Sequence, residues 1–95
     1  GNYPEAVKLY EQSLEMAKEL GDKSGIASSL GQMGRIKEEN SDLESALINY
    51  INALLIFEEL QSPDREIAKN CIASLREKMG DDAFQKALEK LGGSQ

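Results

Sequence analysis

The sequence predicts an all-α fold, an α-solenoid of antiparallel helix pairs with about five helices. Apolar residues recur at steps of three and four along most of the chain, as they do on the buried side of a helix. Alternating β-branched runs typical of strands are absent from the sequence. The pattern of apolar, small and aromatic positions also returns after about forty residues, a spacing typical of stacked helix–turn–helix units.

The first predicted helix runs from Pro4 to Leu20, because proline suits a first helical turn, where its missing N–H is not needed. Gly21 follows as a C-cap that tolerates a left-handed backbone conformation. Asp22 is an N-cap candidate for a second helix, Lys23 to Glu39.

Three glycines lie in the second helix, Gly25, Gly31 and Gly34. Each costs about 1 kcal/mol relative to alanine in a helix interior. Since glycine lets another backbone approach closely, Gly31 and Gly34 are predicted to be packing residues. The alternative is a phosphate-binding loop, but G-Q-M-G lacks the glycine and lysine pattern of such loops and follows no predicted strand.

The central helix is predicted from Asp42 to Leu60 and carries two apolar stripes, which indicates partners on more than one side. Ser41 and Glu44 have the spacing of a capping box at its start. Ser62 is the predicted N-cap of a fourth helix that begins at Pro63.

The fourth helix is expected to end near Met79, with Gly80 after it. Asp81 then caps a short fifth helix over 82–91. These boundaries predict a single domain over residues 1–91. It divides into a truncated repeat (1–21), a complete repeat (22–61), a degenerate repeat (62–91) and a flexible tail (92–95).

The internal repeat is the strongest signal in the sequence. Tyr3, Ala6 and Val7 return as Leu43, Ala46 and Leu47, and then as Phe84, Ala87 and Leu88. In the intervening helices, Ile26 and Ala27 return as Ile67 and Ala68. Matching positions in consecutive helix pairs describe a solenoid in which each pair stacks on the next.

At these residues the chain resembles the tetratricopeptide repeat family, in an extended variety of about forty residues per repeat. Leu30 to Gly34 is similar to the family's first-helix motif, and Leu43, Ala46, Tyr50 and Ala53-Leu54 to its second-helix motif. Ser41 replaces the usual turn glycine, and Lys37 stands where the family usually has an aromatic residue. The resemblance covers roughly residues 1–88 and implies a right-handed solenoid.

The resemblance also implies a protein-binding scaffold whose concave groove is lined by the first helix of each repeat. Carried over position by position, the groove residues are Ser28, Gly31, Gln32, Arg35 and Glu39 from one repeat, and Lys69, Ile72, Ala73 and Arg76 from the next. Arg35 and Arg76 occupy equivalent positions, so together they are candidates to bind a carboxylate or an acidic peptide. Alternatively, each arginine pairs with a nearby Glu38, Glu39 or Glu77.

Composition argues against several other functions. The formal net charge of -6 disfavours nucleic acid and anionic membranes as partners. The sequence contains no histidine and a single cysteine, so no catalytic triad or structural zinc site can be assembled, and we expect neither enzyme activity nor a cofactor. Cys71 is predicted to be a small core residue in a reducing, cytoplasmic compartment.

The first helix begins in the middle of a repeat and therefore lacks its preceding partner. An uncovered face with Val7, Tyr10, Leu14 and Ala17 would be unfavourable in water, so self-association through this helix is a further hypothesis. The chain is thus expected to be a peptide- or protein-binding module, or alternatively a structural spacer or self-association segment of a larger multidomain protein.

Overall fold

A computed structural model describes residues 3–93, and these form five helices with no strand among them. The helices are α1 (Tyr3–Leu20), α2 (Lys23–Glu39), α3 (Leu43–Glu59), α4 (Arg65–Met79) and α5 (Asp81–Gly93). Each helix packs against the next one along the chain, and α1 to α4 are antiparallel to their neighbours. The prediction of an all-α helical repeat with five helices is confirmed.

The turns after α1, α2 and α3 share one geometry. Gly21, Ser41 and Gln61 each have a positive φ, of 69°, 65° and 54°. The amide of each bonds back to the carbonyl three residues earlier, and the next amide bonds to the carbonyl five residues earlier, as in a Schellman motif. The predicted left-handed C-cap at Gly21 is therefore confirmed, and the same turn recurs where the sequence has serine and glutamine.

The predicted cap at Ser41 is wrong, because Ser41 takes the left-handed position of the turn, so Asp42 is the N-cap residue of α3, and its side chain makes no capping hydrogen bond. Ser62 Oγ does accept a 3.1 Å hydrogen bond from the Asp64 amide, as an N-cap does, but it caps the turn formed by Pro63 and Asp64, and α4 itself begins at Arg65. The cap at Asp22 is confirmed, since Asp22 Oδ1 accepts a 2.9 Å hydrogen bond from the Gly25 amide.

The core consists of two clusters that meet along α3. One joins Ala27 of α2 and Ala68 of α4 to Ala53 and Phe57 of α3. The other places Leu75 of α4 and Phe84 and Ala87 of α5 around Ala46, Leu47 and Tyr50. Tyr50, Leu47 and Leu75 are the largest fully buried side chains. The central helix therefore has partners on two sides, as its two apolar stripes indicate.

The outer helices differ from the expectations in detail. The predicted face of α1 packs inward: Ala17 is buried and Val7, Tyr10 and Leu14 are half-buried, while Leu9, Met16 and Leu20 are more than half exposed. The exposed apolar residues of α1 are thus not those named from the sequence.

At the other end, α5 runs from Asp81 to Gly93, so Asp81 is the first residue of the helix rather than its N-cap, and Gly92 and Gly93 continue the helix two residues past its predicted end. The remaining tail residues, Ser94 and Gln95, lie outside the described residues, as do Gly1 and Asn2 of the predicted first turn and the side chain of Tyr3. Among residues 3–93, no helix is both long and apolar enough to cross a membrane.

Candidate functional site

An open cavity of about 190 Å³ lies between α2 and α4, with α3 as its floor. Ser28, Gly31, Gln32 and Arg35 form its α2 wall, Asp64, Ile67 and Cys71 form its α4 wall, and Tyr50, Ala53 and Phe57 lie beneath. Most of these contacts are apolar, so we call this cavity the apolar half of the α2–α4 groove. Ile67 is 62% exposed at its edge.

The groove continues into a polar half that shares Arg35, Tyr50, Ile67 and Cys71 with the apolar half. Glu38, Glu39, Asn70, Ser74 and Lys78 complete its lining. The two halves together form one surface along α2 and α4, apolar near the start of the two helices and polar near their ends.

A partly buried hydrogen-bond network lies at the polar half. Tyr50 Oη donates a 2.7 Å hydrogen bond to Glu38 Oε1, and Lys78 pairs with Glu38 Oε2, so this carboxylate joins α2, α3 and α4. Burial of Glu38 opposes its ionisation, but the bonds from Lys78 and Tyr50, with the nearby charge of Arg35, outweigh burial and lower its pKa. Burial and the bond to Glu38 raise the pKa of Tyr50, so Tyr50 stays a hydrogen-bond donor.

Gly31 and Gly34 of α2 have different roles. A Cβ added at Gly34 would lie 2.7 Å from Cε1 of Tyr50 and 3.3 Å from the carbonyl oxygen of Ala46, so Gly34 allows α2 and α3 to pack closely, as predicted. At Gly31 a Cβ would meet nothing within 4 Å. The packing prediction for Gly31 is therefore wrong, and this glycine instead leaves space in the wall of the groove.

The sequence-predicted site residues fall into two separate places. Ser28, Gln32 and Arg35 line the apolar half, and Glu39 lines the polar half. Lys69, Ile72, Ala73 and Arg76 instead line a cleft between α4 and α5, which we call the α4–α5 cleft. These residues keep the repeat register, since they occupy on α4 the positions that 28, 31, 32 and 35 occupy on α2. They face away from α2, so the two sets do not form one site.

The two arginines are also separate. Arg76 Nε bonds to Asp81 Oδ1 at 2.8 Å, and the guanidinium lies 5.3 Å from the centre of the Phe84 ring. The partner of Arg76 is thus Asp81 rather than Glu77. Arg35 lines the groove and forms no hydrogen bond or ion pair with any residue in 3–93. The structure does not bring the two guanidinium groups together on one carboxylate.

Sequence reasoning missed the α4 wall, namely Asp64, Ile67, Asn70 and Cys71. Ile67 repeats Ile26 in the apolar pattern, yet it is 62% exposed at the edge of the groove. Cys71 was assigned to the core; it is half-buried, packs on the cluster around Tyr50 and lines both halves of the groove. A helix that lies between two neighbours presents one side to each of them. The repeat pattern therefore already implied that α4 has a second side, which faces α2.

The chain was compared with known proteins. A family model described as Tetratricopeptide repeat matches residues 1–59, which include α1, α2 and α3. The protein therefore belongs to the tetratricopeptide repeat family, whose repeats generally mediate protein–protein interactions and are typically non-enzymatic. No curated protein and no solved structure matches the chain.

Proposed function

We propose that this chain is a scaffold or adaptor module that binds a peptide or protein segment in the α2–α4 groove. The observation that carries the proposal is an open apolar cavity between two first helices of the array, with Ile67 left 62% exposed at its edge. Concave sites lined mainly by apolar groups with a few polar ones are typical of binding sites. A bound segment would remove the apolar lining and Ile67 from water.

The polar half of the groove supports the same role. Glu38 and Lys78 are held in place by the bond to Tyr50 and by their mutual ion pair, while Arg35 beside them makes no hydrogen bond or ion pair within residues 3–93. A segment that crosses from the apolar to the polar half would meet both an anchor surface and hydrogen-bonding groups. We propose Ser28, Gln32, Arg35 and Glu39 as contact residues. Lys69, Ile72 and Arg76 in the α4–α5 cleft form a second, independent contact surface.

A random peptide library selected on the wild-type chain tests this proposal. The groove-filled variant Gly31→Leu places a side chain where a Cβ meets no other atom, so it blocks the cavity without a clash at the backbone. Selected peptides should bind this variant at least tenfold more weakly. The matched control is Leu55→Gln, since Leu55 is 59% exposed and lines neither the groove nor the cleft. Equal affinity for wild type and Gly31→Leu would reject the groove as the binding site.

A second candidate function is self-association or spacing through α1, supported by the exposed apolar residues Leu9, Met16 and Leu20. They lie on one side of α1, at steps of seven and four, and by the forty-residue repeat they correspond to Asn49 and Ile56 of α3 and to Leu60, which follows α3. Asn49 bonds to the carbonyl of Leu30 in α2, so the same side of α3 is covered by a helix. We expect light scattering at high concentration to detect a dimer that Met16→Glu abolishes; a strictly monomeric wild type would exclude this role.

The proposed role is binding rather than catalysis and requires no cofactor. We propose protein partners rather than nucleic acid or membrane, in line with the net charge of -6. A reducing compartment such as the cytoplasm is proposed because Cys71 is the single cysteine of the sequence and has no intramolecular disulfide partner.

A further inference from the structure

We infer that the α2–α4 groove binds an extended peptide segment in which an apolar side chain lies between an acidic and a basic residue, each two positions away. This inference rests on the proposed binding role of the groove and specifies the chemistry of the segment. Three features of the groove carry it: an apolar centre, a charge of opposite sign at each end that makes no ion pair within residues 3–93, and the length of the apolar centre.

The apolar centre is the cavity over Ala53, Phe57 and Tyr50, whose opening in the α2 wall is at Gly31. Tyr50 and Phe57 are 2% and 6% exposed, so the floor is fixed by the core and does not need to rearrange for a side chain to enter. Ile67 on the opposite wall is 62% exposed, so an apolar group bound in the cavity would remove it from water. An aliphatic side chain is the complement of this centre.

Two charged side chains line the same cavity. The Arg35 guanidinium and the Asp64 carboxylate each make no ion pair or side-chain hydrogen bond with residues 3–93. Glu38, the nearest acid to Arg35 in the network, is already matched by Lys78 and Tyr50. Glu39 is also unpaired but lies beyond Arg35, in the polar half. A ligand carboxylate is thus the natural partner of Arg35, and a ligand cation that of Asp64.

The two charges lie at opposite ends of the apolar centre. Asp64 precedes by one turn Ala68, which packs in the cluster with Ala27 and Phe57. Arg35 follows Gly34, which contacts Tyr50 at the other end of the cavity. From Ala27, which packs in the cluster with Ala68, to Arg35 the α2 helix rises roughly 12 Å at about 1.5 Å per residue, and this rise is the length of the apolar centre.

An extended peptide of five residues covers the length of the apolar centre. Its side chains alternate between two sides, so residues one, three and five point in the same direction, and their ends lie about 13 Å apart at roughly 3.3 Å per residue. A segment with acid, apolar and basic residues at these three positions places all three on the groove at once. Two charges of the same sign would leave one end of the groove in repulsion.

Blocked pentapeptides test the inference, with the uniformly ¹⁵N-labelled chain followed by NMR titration. The probes are acetyl-Glu-Ala-Leu-Ala-Lys-amide and its reverse, acetyl-Lys-Ala-Leu-Ala-Glu-amide, so that both chain directions are sampled. Controls replace the leucine by serine, or make both ends glutamate or both lysine. The better mixed-charge peptide should bind at least fivefold tighter than every control. Equal affinities across the set would overturn the inference.

Variants of the protein test which charged residue of the groove binds each charged residue of the peptide. Arg35→Gln should weaken the mixed-charge peptide about fivefold and leave acetyl-Ala-Ala-Leu-Ala-Lys-amide unaffected, in whichever direction binds. Asp64→Asn should also weaken the mixed-charge peptide about fivefold, but it should leave acetyl-Glu-Ala-Leu-Ala-Ala-amide, which lacks the lysine, unaffected. Lys86→Gln is the control, since Lys86 is exposed and lines neither the groove nor the α4–α5 cleft. Unchanged binding of the mixed-charge peptide to both Arg35→Gln and Asp64→Asn would overturn the assignment, provided circular dichroism shows that the variants are folded.

The proposed binding function of the groove and the inference about peptide chemistry can be rejected independently of each other. If library-selected peptides lose affinity for Gly31→Leu but show no preference for mixed charge, the groove binds peptides and the inference about their chemistry is wrong. If selected peptides bind Gly31→Leu as well as wild type, the groove is not the site and the proposed function itself is wrong.

Discussion

Gly31 and Gly34 lie one turn apart on α2 and meet different surroundings. A Cβ at Gly31 has open space around it, whereas a Cβ at Gly34 would overlap the ring of Tyr50, with the Ala46 carbonyl oxygen behind it. The ring has no room to retreat, because Tyr50 is 2% exposed and its hydroxyl is bonded to Glu38.

The glycine pair gives opposite effects on stability. Gly31→Ala should raise the free energy of unfolding by about 1 kcal/mol, from helix propensity alone. Gly34→Ala should lower it by about 1–3 kcal/mol, since overpacking exceeds the gain in propensity. Urea denaturation of the two variants, which add the same methyl group to the same helix, measures the difference. A stabilised Gly34→Ala would mean that α2 and α3 are not in close contact there.

The left-handed turn residues allow a second prediction. Ser41 and Gln61 have positive φ values, and non-glycine residues there cost roughly 1–2 kcal/mol of strain. Ser41→Gly and Gln61→Gly should each raise the melting temperature, while Gly21→Ala at the equivalent turn should lower it. A drop in melting temperature for both glycine variants would contradict the three equivalent turns.

For single residues, the sequence indicated which positions are structurally special, but it did not always indicate what each residue contacts. Glycine inside a helix indicated close packing, and this was correct for Gly34 and wrong for Gly31, because sequence does not tell which side of the helix a partner covers. Likewise, the spacing of Ser41 and Glu44 fits a capping box, but the Schellman turn of α2 places Ser41 in the left-handed position first.

At the scale of helices, α3 holds the array together through Tyr50, which contacts α2 at Gly34 and belongs to the cluster with α4 and α5. Tyr50→Ala should lower the free energy of unfolding by roughly 3–5 kcal/mol, because it leaves a cavity and deletes a hydrogen bond. Tyr50→Phe should cost only about 1 kcal/mol, since it deletes the bond to Glu38 and keeps the ring. Chemical denaturation should give this order; equal losses would place the stabilisation in the hydroxyl rather than in packing.

The Glu38 network should make stability depend on pH. The pKa of Glu38 is lower in the folded chain than its ordinary value of 4.5, so its ionised form is stabilised by folding. This contribution is complete above about pH 4.5 and is lost as the pH falls through the folded pKa.

Comparison with Glu38→Gln isolates this contribution from the other carboxylates. Wild type should exceed Glu38→Gln in free energy of unfolding at pH 6, and the gap should narrow by pH 3. A gap independent of pH would show that the charge of Glu38 does not contribute through Lys78 and Tyr50.

Helix boundaries followed from the sequence where local chemistry decides them. The bounds of α2 were predicted correctly, because Asp22 caps its start and a helix-terminating turn follows Glu39. The start of α4 was misplaced by two residues, because the Ser62 hydroxyl bonds to the Asp64 amide and holds Pro63 and Asp64 in a turn before the helix.

At the scale of the whole molecule, the forty-residue repeat predicted the order and stacking of the helices, because buried positions must match from one repeat to the next. The candidate site was predicted in part: the α2 wall follows from the register, whereas the α4 wall and the separation of Arg35 from Arg76 depend on how the repeats are rotated against each other. That rotation arises from side-chain packing around Tyr50, Phe57 and Leu75, which the register alone does not encode.

The most direct measurement is an NMR map of the ¹⁵N-labelled chain with a library-selected peptide bound. The account predicts that the largest amide shifts fall on the two walls of the α2–α4 groove, at Ser28, Gly31 and Arg35 and at Ile67 and Cys71, with little change in α1. Shifts centred on Leu9, Met16 and Leu20, or confined to the α4–α5 cleft at Lys69, Ile72 and Arg76, would contradict it.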